Sequence, residues 1–82
     1  MTNLYSGSIK SNGEYIDLQE ATGVSFVVGN YYQLQFFNQA YIREGEEGDG
    51  FFITFLYPFT IEYKGGKVYV KSAKNLGINI AE

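Results

Sequence analysis

Eighty-two residues with no Cys, no His, and a net charge of −3 set narrow limits on chemistry. Without Cys there are no disulfides or thiolate metal sites, and without His the commonest imidazole ligand and general base are missing. Six scattered basic residues in an acidic chain suit phosphate neutralisation poorly, so nucleic acid is not an expected partner.

Eight Tyr and seven Phe favour pleated, half-buried surfaces, and ten Gly suit turns between short strands. The first predicted strand runs from Leu4 to Lys10. Asn12-Gly13 is a strong hairpin signal, because both positions of a tight turn then tolerate positive φ. Glu14 to Leu18 alternates as a second strand, and Gln19 to Gly23 reads as a loop or a single helical turn. Val24 to Val28 is a β-branched run ended by Gly29-Asn30. Tyr31 to Phe37 follows, with Tyr32, Leu34 and Phe36 on one face, and Ala40 to Arg43 continues after Asn38-Gln39.

Glu44 to Gly50 reads as a loop tip. Phe51 to Phe59 alternates again until Pro58, which marks a strand end, an edge or a bulge. Thr60 to Lys64, Lys67 to Ser72 and Leu76 to Ala81 complete the series, with Gly65-Gly66 and Lys74-Asn75 between them. Turn signals about every eight to twelve residues predict one all-β domain over 1–82. Its expected form is a compact antiparallel β-sandwich of seven or eight short strands, with a small barrel as runner-up.

Catalysis is not expected. A Ser or Thr nucleophile lacks a histidine base, and no Ser-x-x-Lys stands in for one. Gly45-x-x-Gly48-x-Gly50 is followed by a strand, so the helix N-terminus of a phosphate cradle is missing. No cofactor is expected. The acids Glu44, Glu46, Glu47 and Asp49 have the oxygen chemistry of a calcium loop but not EF-hand spacing. A solvated tip that keeps the adjacent Phe51-Phe52 soluble is the plainer reading.

The exposed aromatics are the remaining candidates. Alternation puts Tyr5, Tyr15, Tyr31, Tyr41, Tyr63 and Tyr69 on outward faces. Of these, Tyr31, Tyr41, Tyr63 and Tyr69, with Phe37, form the expected protein interface. Gln33, Gln35 and Asn38 are the polar partners if the same rings bind a carbohydrate or receptor instead. The closing strand is expected to be available to extend a neighbour's sheet. Cross-strand aromatic pairing that only stabilises the sheet is the alternative to both.

Three stretches carry a resemblance: Ser6 to Lys10 with Asn12 to Tyr15, Val28 to Gly45, and Val68 to Ser72 with Gly77 to Ala81. In style these resemble the small β-domain proteins of tailed bacteriophages over nearly the whole chain, without a motif specific to one family. The resemblance implies a virion accessory: a capsid decoration, a head-fibre base or a tail-associated protein. Its partners would be other virion proteins, its state homo-oligomeric, and its place the virion after synthesis in the host cytoplasm. No heptad or collagen-like repeat makes it a fibre shaft. No signal peptide and no membrane span are expected.

Overall fold

The computed structural model describes residues 2–45, 50–53 and 58–82. Among these residues eight strands form two four-stranded sheets: β1 Asn3–Ile9, β2 Ile16–Asp17, β3 Tyr31–Phe36, β4 Ala40–Glu44, β5 Phe51–Ile53, β6 Phe59–Glu62, β7 Val68–Lys71 and β8 Leu76–Ala81. The first sheet has the order β1-β8-β3-β6 and the second β2-β7-β4-β5, and the pairings within both are antiparallel. This is the all-β sandwich that the turn spacing predicts.

The core follows from strand parity. Tyr32, Leu34 and Phe36 on β3 and Leu76, Ile78 and Ile80 on β8 are buried from the first sheet. Ala40, Ile42, Val68 and Val70 meet them from the second. Because side chains alternate faces along a strand, the residues between these project from the outer faces of the sandwich.

Four expectations need correction. The Asn12-Gly13 turn forms, with both residues at positive φ and the Glu14 N–H donating to the Ser11 carbonyl at 3.1 Å. It does not make a hairpin, however, since β1 and β2 lie in different sheets. Buried Ser11 and Ser72 hold it at the end of β7 instead: the Ser72 N–H donates to Ser11 Oγ at 3.0 Å, and the Gly13 N–H to the Ser72 carbonyl at 2.7 Å.

Next, Leu18 leaves the strand to open a one-turn helix, α1 Leu18–Thr22. Asp17 caps it by accepting from the N–H groups of Gln19 and Glu20, and Gly23 ends it in the left-handed region at φ 77°. Leu18, fully buried, plugs the core from this helix.

Third, Val24 to Val28 is irregular rather than a strand. Side chains satisfy its backbone: the Phe26 N–H donates to Gln19 Oε1 at 2.8 Å and the Val27 N–H to the Tyr32 hydroxyl at 2.7 Å. Last, β8 is central, paired on both sides by β1 and β3, so it has no edge to offer a neighbour. The predicted continuation over residues 54–57 lies outside the described residues.

Candidate functional site

The clearest concentration of recognition chemistry is the outer face of the second sheet. Two neighbouring strands carry the same order of residue types, Ala40-Tyr41-Ile42-Arg43 on β4 and Val68-Tyr69-Val70-Lys71 on β7. Their apolar members point into the core, leaving a tyrosine and a cation from each on the outside. Antiparallel register then sets Tyr41 opposite Lys71 and Arg43 opposite Tyr69. Each ring therefore faces a cation across the ladder, a cross-strand pairing that stabilises the face as well as decorating it.

Tyr15, just before β2, lies across this pair. The Arg43 guanidinium carbon is 4.1 Å from the Tyr15 ring centroid and 5.1 Å from that of Tyr69. The Lys71 ammonium is 4.7 Å from Tyr15 and 5.1 Å from Tyr41. Arg43 Nε also donates to the Gly45 carbonyl at 3.2 Å, which fixes the plane of the guanidinium. On β5, Phe52 extends the cluster by an edge-on contact with Tyr41, with centroids 5.3 Å apart at 61°.

Gly50 explains how Tyr15 fits. It sits at φ +75°, and a Cβ there would meet the Tyr15 hydroxyl and come within 2.9 Å of the Ile42 carbonyl oxygen. Only glycine gives both the backbone angle and the room for the tyrosine.

The cations are half-buried against the rings, while Tyr41 and Phe52 remain 40% and 50% exposed. This is a broad face with apolar area, hydroxyls and positive charge in alternation. It can pack against a complementary surface.

The five aromatics expected to share one interface occupy three places. Tyr41 and Tyr69 belong to this face. Tyr31 and Phe37, 62% and 59% exposed, lie on the first sheet's outer side at opposite ends of β3. Tyr63 points inward: it shares the parity of Ile61, packs on the core, contacts Phe26 edge-on at 5.4 Å and accepts a hydrogen bond from Gln19 Nε2 at 3.4 Å. Tyr5 is likewise packed against the core, on the same parity as Ile9.

Gln33 and Gln35 project from the outer face of the first sheet, half-buried in a polar ladder. Asn38 lies in the turn between β3 and β4, where its Nδ2 donates to the Asn75 carbonyl at 2.9 Å. A shallow cleft of about 320 Å³ there is lined by Phe37, Asn38, Gln39, Ser72, Ala73 and Lys74, and it includes neither Gln33 nor Gln35. Glu44 is exposed at the end of β4, whereas Glu46, Glu47 and Asp49 lie outside the described residues. Among the described residues no acidic cluster is arranged to hold a metal ion, and no helix is long and apolar enough to cross a membrane.

Arg43, Lys71 and Phe52 are not singled out by scanning for exposed tyrosines alone. The signal that finds the two cations is the repeated apolar-Tyr-apolar-basic order of β4 and β7, whose period of two puts ring and charge on one side.

Searches against protein-family models, curated proteins and solved structures give no significant match.

Proposed function

We propose that this chain is a non-catalytic protein-contact module, a structural accessory of a phage particle, that docks through the outer face of its second sheet. The observation that carries the reading is the continuous cluster of Tyr15, Tyr69, Arg43, Lys71, Tyr41 and Phe52. Tyr, Phe and Arg are side chains that interfaces enrich: the rings bring large apolar area with few rotamers to freeze, and the guanidinium brings several donors on a long apolar stem. Packing this face on an identical face about a two-fold axis would bring Arg43 and Lys71 close to their own copies. The better fit is a different protein that offers carboxylates around an apolar patch.

Peptide mass spectrometry of particles purified from cells that express the gene in its native setting tests this. The chain should be found in the particles. The double variant Y41S/F52S should fold and be lost from them. A chain absent from purified particles would overturn the virion assignment.

A carbohydrate-binding role is supported by the cleft at Phe37 and Asn38, where an exposed ring adjoins amide and hydroxyl groups. A glycan screen in which wild type binds and F37A does not would favour it over docking.

A further inference from the structure

We infer that the cleft between the β3–β4 and β7–β8 turns takes a sugar residue that carries a carboxylate, a uronic or sialic acid. The inference rests on the carbohydrate reading of that cleft and is independent of the docking face. Both turns cross between the sheets at one end of the sandwich, residues 37–39 leading from β3 to β4 and residues 72–75 from β7 to β8.

Hydrogen bonds tie the two turns together. Asn38 Nδ2 donates to the Asn75 carbonyl at 2.9 Å, and the Oγ of buried Ser72 donates to the Gln39 carbonyl at 3.1 Å. The Phe37 N–H donates to the Gly77 carbonyl at 2.9 Å. The Phe37 ring rests on Gly77, where an added Cβ would come within 3.2 Å of the Phe37 Cβ and Cδ2. The walls are therefore in place before a ligand arrives, which lowers the ordering cost of binding.

The lining selects the ligand by size, polarity and charge. About 320 Å³ is at the small end for ligand sites, so a shallow cleft of that volume suits one sugar ring. Phe37 remains 59% exposed and offers a ring face to the C–H groups of a sugar. Asn38 Oδ1 and the amide of exposed Gln39 are positioned in the lining to meet hydroxyls. Lys74 is exposed, and among the described residues no carboxylate lines the cleft with it. A single ammonium is a point charge that one carboxylate matches, whereas phosphate groups are usually gripped by several donors at once. The net charge of −3 repels anions at long range, but salt screens that, and contact with Lys74 decides.

Amide chemical-shift titrations with methyl glucuronide, its neutral counterpart methyl glucoside, a methyl sialoside and a nucleoside monophosphate test this. One of the two acidic sugars should perturb residues 37–39 and 72–77 and bind about tenfold tighter than the glucoside, the size of one charge-assisted hydrogen bond. Lys74→Gln should reduce the acidic sugar to the level of the glucoside, and Lys74→Arg should restore much of the difference. Y41S/F52S should bind it as wild type does. Equal binding of acidic and neutral sugars would overturn the acid selection and leave the carbohydrate role standing. No binding of any sugar would overturn both. Tighter binding of the nucleotide, or a Lys74→Gln variant that holds the acidic sugar as wild type does, would also overturn the inference.

Discussion

The two outer faces of the sandwich come from the same alternation of side chains, yet they differ in what their residues contact. On the first sheet the outward groups satisfy one another: Ser6 Oγ donates to Asn79 Oδ1, Asn3 Nδ2 donates to Ser6 Oγ at 3.1 Å, and Gln35 stands opposite Asn79. Among the described residues, rings appear on it only at its ends, as Tyr31 and Phe37. On the second sheet, rings and cations interleave across β7, β4 and β5 with Tyr15 beside them, and their mutual contacts leave apolar area facing out. A face whose polar groups are already paired gains little from a partner. A face that holds aromatic area and positive charge in fixed positions has something to offer one.

Substitutions can break or sharpen this contrast. The largest effect should come from the core beneath both faces. Leu34→Ala or Ile80→Ala empties fully buried volume and should cost about 2–5 kcal/mol in denaturant unfolding, collapsing both faces together. Gly50→Ala should act mainly on the second face. It forces an L-residue to φ +75° and displaces Tyr15, for about 1–3 kcal/mol and a changed near-ultraviolet tyrosine signal.

Asp17→Ala removes the cap of α1 beside Tyr15 and should cost about 1 kcal/mol in thermal unfolding. A double-mutant cycle between Arg43 and Tyr15 should give a coupling of about 0.5–1 kcal/mol. Q33S/Q35S on the first face should be smallest, within about 0.5 kcal/mol of wild type by the same denaturation.

Strand parity was legible in the sequence wherever a run alternated cleanly. Tyr32, Leu34 and Phe36 face inward as their spacing requires, and so do Val68, Val70, Ile78 and Ile80. Tyr63, expected outside, shares the parity of buried Ile61 and packs inward with it. The sheet to which each strand belongs was not legible. Asn12-Gly13 encodes a tight turn, but Ser11 and Ser72, 61 residues apart, decide that the chain crosses between sheets there. Tyr41 and Tyr69 could be placed outside from sequence, whereas their meeting with Lys71 and Arg43 depends on the β4–β7 register, a long-range property. Val24 to Val28 has strand composition, yet Gln19 and Tyr32 satisfy its backbone from elsewhere in the fold.

The most direct test of the docking face compares retention on purified particles of Y41S/F52S with that of Q33S/Q35S, each confirmed folded by circular dichroism. The account predicts that Y41S/F52S is lost while Q33S/Q35S is retained at the wild-type level. Equal retention of both, or loss of Q33S/Q35S alone, would contradict it.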